Sequence, residues 1–375
     1  MHITLYNNLA DVPVDQGQWD ALLPRNTTRS VFQTYTWVHS WWEQFGDSFT
    51  LFFLVARNDA GAITGLAPLM IDDKSTLRFI ADINSDYLDF IIPEHRFEIL
   101  TGFFDKIVEH RNTWRVIELK NVRRCSDLLD LLRLACKQSH LYFWRYGSID
   151  APSLIIDGNE KCVRKLLDKY SIRRTEKRFA RQGEIVYRVL ETREQAAPYW
   201  DTFFAQHVDR CESVNRGSSF ENPAFRRFTR DLFNQTCGEH FVHFSVVELN
   251  GKPIAFHYGF ISENRLLWYK PCFDASIKKG SPGVLLIKRL IEECMNYGLQ
   301  ELDFTIGAEQ FKDRFCSIRR KVDSVRIYQS RLQYLSECTF KMMWNTAKTT
   351  ARKLLPGKRY MQGCTAKRPD ENRSR

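Results

Sequence analysis

The chain has 375 residues, 43% hydrophobic and 13% aromatic, a composition typical of a folded globular protein rather than a disordered one. Its net charge of +10 is unevenly distributed, since residues 331–375 carry eleven Lys or Arg against three acids and residues 1–330 are close to neutral. The sequence pI of about 9.1 therefore does not indicate DNA binding by the folded body. At this length we expect two domains of ordinary size.

Ten cysteines are scattered singly between Cys125 and Cys364, without a Cys-x-x-Cys word, which predicts reduced thiols rather than a disulfide framework or a zinc site. The first residues lack a basic segment followed by a long apolar run, and no stretch approaches about 18 uninterrupted apolar residues. The sequence contains none of the motifs of serine hydrolases, P-loop enzymes, zinc proteases or dinucleotide-binding proteins. We therefore expect a cytoplasmic protein with no spanning helix and no metal.

The first 156 residues are predicted to form one α/β domain. A strand begins the chain, and the aromatic residues Trp37, Trp41 and Phe45 then recur at helical spacing. Such a stripe is usually core, and the alternative is an aromatic wall for a sugar. The elements expected after it are strands over residues 51–56, 63–71, 77–80 and 87–92, a helix over 97–109 and a strand over 114–119.

A single helix over residues 160–182 is expected to link the two domains, within a segment spanning 157–183. Its basic side chains share one face, which indicates either a solvated surface or a surface for phosphates of a cofactor or an acceptor. These residues are Arg173, Arg174, Lys177, Arg178 and Arg181.

The second predicted domain spans residues 184–330 and repeats the order of the first, which indicates an internal duplication. A helix over 197–209 carries His207, with Arg210 three residues further on. The polar segment 215–220 is a candidate lid beside a site. The apolar runs 241–248 and 254–261 flank Asn250-Gly251, a strong hairpin signal.

A basic, glycine-containing loop separates a third strand, residues 265–273, from an amphipathic helix, and a strand carrying Asp303 follows at 299–306. At the helix start, Ser281 is a favourable N-cap and Pro282 fits the first helical position, while Gly283 leaves backbone amides uncovered. Unpaired amides and the helix dipole can receive a phosphate there. Lys278 and Lys279 add charge, and Gly280 lets the chain turn. The alternative is an ordinary strand-to-helix connection.

This order of strand, basic glycine loop, helix and strand resembles the core of a GNAT acyltransferase. The words Gly251-Lys-Pro-Ile-Ala255, Ser281-Pro-Gly283, Leu302-Asp-Phe304 and Gln310-Phe-Lys312 resemble more narrowly the bacterial acetyltransferases associated with cellulose or exopolysaccharide biosynthesis. Fem-type enzymes, which add amino acids to peptidoglycan bridges, are relatives of that branch. Ser281 stands where the usual GNAT loop has a glycine. The first copy has no such loop, so we expect it to be structural or to bind the acceptor.

The resemblance implies two tandem GNAT-like domains with mixed, mostly antiparallel sheets. It also implies that acetyl-CoA or another acyl-CoA binds at residues 278–283. The acceptor is expected to be an amine or hydroxyl of a surface glycan or its precursor. Fem-type transfer from charged tRNA and a non-catalytic scaffold are the alternatives.

Thioester chemistry also needs backbone amides for the carbonyl, here the strand around Trp268, and a group that takes a proton from the acceptor. Side chains of the second domain provide candidates for the proton transfer. A structural role competes for His257, in a strand, and for Asp303, for which Lys312 is the expected ion-pair partner. Arg210, on a helix that lines the acyl site in the family, is a candidate substrate contact together with Lys312. The catalytic candidates are Asp303, His257, His207 and Glu309, with Tyr269 as an acid.

The basic tail, residues 331–375, contains an amphipathic pattern at Phe340, Met343, Trp344 and Ala347. Such a helix can lie on the anionic inner face of the cytoplasmic membrane. The alternative is that its apolar stripe packs on the second domain and that the end of the chain is disordered.

Overall fold

A computed structural model describes residues 1–26, 28–239 and 241–340. The chain divides into two compact units, Met1–Tyr334 and Leu335–Arg375. In the second unit the described residues, 335–340, are helical. Most of the amphipathic pattern predicted for the tail lies outside the described residues.

The strands of the first unit belong to one sheet. Their bounds are β1 (His2–Tyr6), β2 (Thr50–Arg57), β3 (Ile63–Ile71), β4 (Thr76–Phe79), β5 (Val116–Arg123), β6 (Tyr142–Ile155), β7 (Ile185–Val189), β8 (Val242–Leu249), β9 (Lys252–Ser262), β10 (Arg265–Phe273), β11 (Glu301–Asp303) and β12 (Ile318–Tyr328). Their spatial order is β1-β2-β3-β4-β5-β12-β6-β11-β10-β9-β8-β7.

The α-helices flank this sheet. Their bounds are α1 (Gln16–Leu22), α2 (Tyr35–Phe45), α3 (Arg96–Glu109), α4 (Leu128–Gln138), α5 (Glu160–Leu167), α6 (Tyr170–Ala180), α7 (Arg193–Ala196), α8 (Trp200–Glu212), α9 (Pro223–Thr236) and α10 (Pro282–Asn296).

The two halves of the sheet repeat one pattern. In the first, β1 to β4 run antiparallel and β4 pairs with β5 in parallel, with α3 between them in sequence. In the second, β7 to β10 run antiparallel and β10 pairs with β11 in parallel, with α10 between them. The predicted tandem α/β architecture with mostly antiparallel pairing is confirmed.

The halves exchange their last strands. β12 pairs with β5 of the first half on one side and with β6 on the other, whereas β6 also pairs with β11 of the second half. The predicted boundary at residue 156 therefore falls just after a strand that joins both halves in one sheet. Because long antiparallel pairing is cooperative, we expect the halves to unfold together.

Helix α2 packs its aromatic stripe into the core. Trp37 and Trp41 are fully buried, and their indole N–H groups donate to Ser85 Oγ (3.0 Å) and Asn84 Oδ1 (2.8 Å). Trp37 also packs edge-on against Phe228 of α9. The stripe is therefore core rather than an exposed sugar-binding wall, and truncating Trp37 to alanine would cost about 3–5 kcal/mol.

Three predicted elements differ in the structure. The expected linking helix is two helices, α5 and α6, because Lys169 between them is extended (φ −54°, ψ 136°). Residues 87–92 form no strand but a buried loop, joined to the sheet by the bridge Leu66–Ile91 and by Leu88 N, which donates to Asn121 O at 3.0 Å. The strand expected over 299–306 ends at Asp303. In the last two segments the residues are apolar because they are buried, and not because they pair with a neighbouring strand.

The described cysteines, nine in number, carry free thiols. Within the part of the chain that the structure describes, the helices lack the combination of length and apolar character needed to cross a membrane.

Candidate active site between the two halves

Strands β10 and β11 diverge at the centre of the sheet. Their parallel pairing covers only Arg265–Leu267 against Glu301–Asp303, after which β10 continues paired with β9 but not with β11. Beyond β11 the backbone follows β6 instead, since Phe304 N donates to Pro152 O at 3.0 Å. Thr305 spans the opening, with its hydroxyl donating to Trp268 O at 3.0 Å. We call the opening between β10 and β11 beyond Leu267 and Asp303 the slot.

A bulge in β10 lies at the mouth of this slot. The register shifts between Leu267 and Lys270, so that Trp268 and Tyr269 fall outside the regular pairing with β9. Opposite the bulge only glycine fits, because a Cβ on Gly259 would lie 2.0 Å from Leu267 O. A bulge turns backbone amides away from the ladder, so it can present N–H groups to a carbonyl oxygen in the slot.

The basic loop before α10 has the features expected of an anion site. Ser281 occupies the N-cap position, but its side chain makes no capping bond, so the first amides of α10 are not covered by it. Gly280 has φ +114°, in the region that favours glycine. Lys278 and Lys279 are exposed beside it. The start of α10 and two exposed cations thus lie at the same turn.

Helix α6 packs beside this loop. A Cβ on Gly280 would lie 2.9 Å from the ring of Phe179 and 3.6 Å from Cδ of Arg178. Glu176, one turn before Phe179 on α6, bridges Lys288 and Arg289 of α10. The predicted basic face of α6 is exposed, lines a recess of about 820 Å³, and its five cations form no ion pair among the described residues.

The predicted ion pair between Asp303 and Lys312 is wrong. Asp303 accepts from the hydroxyl of Tyr87 (2.7 Å) and from Thr305 N (2.8 Å). Lys312 instead pairs with Glu309 (2.9 Å) and donates to Ile306 O (3.1 Å). Sequence proximity suggested Lys312, but the loop of the first half supplies the buried donor. Burial raises the pKa of Asp303, which the nearby Arg123 opposes.

Two charged residues that the sequence analysis did not select face each other at the slot. Asp86 comes from the loop between β4 and α3 in the first half, and Lys270 from β10 in the second, and they interact electrostatically. Both keep part of their surface accessible. Lys270 interrupts an apolar strand, a signal that could have marked it, whereas Asp86 follows two polar residues and has no such signal.

His257 belongs to a buried hydrogen-bond network behind the bulge in β10. It is fully buried, its Nε2 lies 3.2 Å from Leu267 O, and its Nδ1 lies 2.9 Å from Nδ1 of His243. Burial holds the pKa of His257 well below its usual value, and so does the neighbouring His243. This position suits support of the bulge rather than contact with a substrate.

Helix α8 and the candidate lid that follows it, residues 215–220, lie beside the slot. His207 is buried and bonds through Nδ1 to Ser218 Oγ (2.8 Å), at the start of the short turn over Ser219. Ser219 Oγ lies 3.5 Å from Lys270 Nζ, and Arg216 pairs with Glu309 (3.3 Å). The segment 215–220 therefore lies against the slot. Whether it closes over a substrate stays a prediction.

Arg210 lies on the same helix, with its guanidinium 4.9 Å from the ring centre of Phe273. That ring is also what a Cβ on Gly283 would meet, at 3.2 Å. Arg210 is thereby placed beside the loop end of α10, away from Tyr269, whose hydroxyl donates to Asn84 O at 2.6 Å. The structure thus gathers Tyr269, Asp303 and Lys312 around Asp86, and separates His257 and Arg210 from them.

Residues 168–313 match the family of acetyltransferase (GNAT) domains. The match includes α6, the basic loop, α10 and the diverging strands, so it falls on the half that contains the slot. No curated protein matches the chain.

Solved structures share the tandem fold over most of the chain. FemX aligns with a TM-score of 0.61 at 9% identity, over 86% of this chain and 97% of its own. A tandem GNAT protein from the clavulanic acid biosynthesis pathway gives 0.52 at 11%, over 86% and 98%. L-PGS from Bacillus licheniformis gives 0.51 at 12%, over 85% and 93%. At these identities the likeness shows the fold alone.

Proposed function

We propose that the protein is an acyltransferase that moves an acyl group, acetyl in the first instance, from acyl-CoA to an amine or hydroxyl acceptor. The observation that carries this proposal is the slot between β10 and β11, with the uncapped start of α10 following β10. The GNAT-domain match over residues 168–313 supports the same chemistry.

The residues of the basic loop fit a pyrophosphate. Gly280 and Gly283 permit close approach of the backbone, and Lys278 and Lys279 add two charges. In the first turn of α10 the amide available to a phosphate is that of Gly283, because Pro282 has no N–H and the amides of Val284 and Leu285 donate to Ser281 O. A bound acyl-CoA would supply the reactive thioester carbon. The bulge at Trp268 and Tyr269 would polarise the thioester carbonyl through backbone N–H groups.

The acceptor proposed is a sugar amine or hydroxyl of a surface polysaccharide or its precursor. Its support is the resemblance of residues 251–255, 281–283, 302–304 and 310–312 to the exopolysaccharide-associated acetyltransferases. The first half has no basic loop before α3, so we do not assign donor binding to it. It contributes Asp86 and Tyr87 to the slot, and we assign acceptor binding to this half.

A second candidate is Fem-type transfer of an amino acid from charged tRNA. The exposed basic face of α6 favours it, since five cations with no acidic partner among the described residues suit a phosphate backbone. Replacing acetyl-CoA by charged tRNA in a transfer assay separates the two. The scaffold alternative predicts activity with neither donor.

The proposal is tested by calorimetry with acetyl-CoA, longer acyl-CoAs and free CoA. We expect the double variant Lys278→Glu, Lys279→Glu to lose about tenfold or more in affinity, because two attractive charges become repulsive. The matched control is Lys161→Glu with Lys165→Glu, an identical charge change on exposed positions of α5. If the wild type does not bind acyl-CoA, or if both double variants bind it with equal affinity, the proposed donor site is contradicted.

A further inference from the structure

At the bulge in β10, the carbonyl oxygen of Leu267 lies against β9. A Cβ on Gly259 of β9 would lie only 2.0 Å from this oxygen. In a planar trans peptide the oxygen and the amide hydrogen point in opposite directions. The N–H of Trp268, which belongs to the same peptide unit, therefore points away from β9. Since β10 lies between β9 and β11, that direction is towards the slot.

The next peptide unit of the bulge has the opposite orientation. The carbonyl oxygen of Trp268 accepts from the hydroxyl of Thr305 at 3.0 Å, so it points to the side of β10 on which the slot opens. By the same planarity, the N–H of Tyr269 points away from Thr305. Of the two amides in the bulge, that of Trp268 is thus the one directed to the slot.

His257 contacts both residues of the first peptide unit. Its Nε2 lies 3.2 Å from Leu267 O, and its ring stacks on the indole of Trp268, with 5.4 Å between ring centroids and 22° between planes. A carbonyl oxygen can only accept, so Nε2 carries a proton and donates it. Gly259 makes room for the ring, because a Cβ there would lie 2.6 Å from Cε1 and Nε2 of His257. His257 therefore holds the carbonyl on the β9 side.

Three further residues keep His257 in the tautomer that can donate. Burial holds the pKa of His257 well below its usual value, so the ring is neutral and its Nδ1 is an acceptor. His243 of β8 donates to that nitrogen across 2.9 Å, and its own Nε2 lies 2.9 Å from Glu293 of α10. The hydroxyl of Tyr187 of β7 donates to the other oxygen of Glu293. One row of hydrogen bonds thus joins the bulge to the helix that begins at the basic loop.

The network is buried, and its members are paired. Burying polar groups is unfavourable unless each has a partner. His243, His257 and Glu293 are all buried, and their ring nitrogens and carboxylate oxygens each make one of the contacts given above. A buried polar network that is fully paired rigidifies the structure around it. The backbone that this network holds is the bulge.

We propose that His257 is a positioning residue for acyl transfer, which holds the Leu267–Trp268 peptide so that the N–H of Trp268 faces the thioester carbonyl. His243 and Glu293 keep His257 in the required tautomer. The inference rests on the proposed acyltransferase function and names the side chains that prepare its carbonyl site. A donor fixed in advance stabilises the charge that develops on a carbonyl oxygen, and losing one such donor lowers kcat by about 100-fold or more.

Two substitutions test this role, because they place the same amide group at different reaches. His257→Gln brings an amide N–H to the position of Nε2, whereas His257→Asn reaches only the position of Nδ1, towards His243. The measurement is the carbonyl stretch of bound acetyl-CoA, labelled with ¹³C at that carbon, in isotope-edited infrared spectra. We expect a lower frequency than in solution for the wild type and His257→Gln, and the solution frequency for His257→Asn.

The matched control is Tyr258→Phe. Tyr258 is the next residue of β9, is also buried, and donates its hydroxyl to Thr229 O at 2.9 Å rather than to the bulge. Successive side chains of a strand point to opposite faces, so this substitution removes a buried hydrogen bond away from His257. It should leave the carbonyl stretch shifted. Affinity for free CoA, which has no acyl carbonyl, should be the same in the wild type and all three variants.

A second measurement needs neither a ligand nor His257→Asn to fold. In ¹⁵N NMR of the wild type labelled at histidine, with His257 assigned by its loss in His257→Gln, we expect the proton on Nε2 and none on Nδ1. The reverse tautomer overturns the inference. So does bound acetyl-CoA with an unshifted stretch in the wild type, an equal stretch in the two variants of His257, or a shift lost in Tyr258→Phe. A wild type that does not bind acetyl-CoA overturns the proposed function instead.

Discussion

Nδ1 of His243 and Nδ1 of His257 lie 2.9 Å apart in the core of the second half. His257 Nε2 faces Leu267 O, which can only accept, and His243 Nε2 faces Glu293 Oε1 at 2.9 Å. Three protons on the two rings satisfy all three contacts. Since burial keeps His257 neutral, His243 is the imidazolium and Glu293 its carboxylate partner. The hydroxyl of Tyr187 donates to the other oxygen of Glu293.

Removing the carboxylate from this network should destabilise the protein strongly. Glu293→Leu leaves a buried imidazolium without its partner, and we expect the free energy of unfolding in urea to fall by about 3–5 kcal/mol. The neighbouring Glu292 is more exposed and pairs with Lys288 and Arg289, so Glu292→Leu should cost about 1 kcal/mol or less. Similar losses in the two variants would contradict the proton count.

The hydrogen bond between Tyr87 of the first half and Asp303 of the second should contribute to the stability of the protein. Tyr87→Phe leaves a buried carboxylate short of a donor and should lower the free energy of unfolding by about 1–3 kcal/mol. In a double-mutant cycle with Asp303→Asn we expect a coupling of about 0.5–3 kcal/mol. Asp303→Asn should also lower turnover per folded molecule, because Asp303 lies where β10 and β11 diverge.

The comparison for that cycle is Lys312→Met, since Lys312 bonds Glu309 rather than Asp303. Its coupling with Asp303→Asn should be clearly smaller. A cycle in which Lys312 couples more strongly than Tyr87 would restore the ion pair expected from sequence.

His207 should make stability depend on pH. Burial lowers its pKa to about 3, aided by the charges of Lys270, Arg210 and Arg216. The unfolded chain binds a proton at this histidine below about 6.5 and the folded chain does not, so its share of stability is lost as pH falls from about 6.5 towards 3. His207→Gln should reduce the slope of unfolding free energy between pH 5 and 6 by up to about 1.4 kcal/mol per pH unit. Equal slopes in variant and wild type would argue against a buried neutral His207.

The tail is proposed to bind anionic membranes. Residues 341–375 hold ten Lys or Arg and two acids. Each cation near an anionic bilayer contributes about 1 kcal/mol, and salt screens the attraction. We expect the full chain to float with phosphatidylglycerol vesicles at low salt and to release at high salt, and a chain ending at residue 340 to stay behind. Equal flotation of both chains, or no response to salt, would favour the alternative of a docked helix.

Local chemistry was sufficient to predict several elements. Asn250 and Gly251 have φ of 52° and 74°, as a tight hairpin with the strand twist requires, and the hairpin forms where the pair predicted it. Pro282 occupies the first turn of α10. The repeated order of strands and helices indicated the tandem fold. For the hairpin and the helix start, the signal and the structure it determines lie within a few residues of one another.

The hydrogen-bond partners across the slot could not be predicted from local sequence in the same way. Asp303 lies only a short distance before Lys312 in the sequence, yet its donor is Tyr87, 216 residues away. The segment around Tyr87 resembles a strand because it is apolar, but it forms a loop whose apolar side chains are buried.

The amino-acid sequence by itself determined the repeated elements, the hairpin and the basic loop, because periodicity, turn residues and helix starts are local preferences. The tertiary structure alone decided that β6 and β12 are exchanged between the halves and that Asp86 stands opposite Lys270. Those choices depend on which distant groups fill a buried space and satisfy its polar atoms, and that free energy is defined only once both halves are folded together.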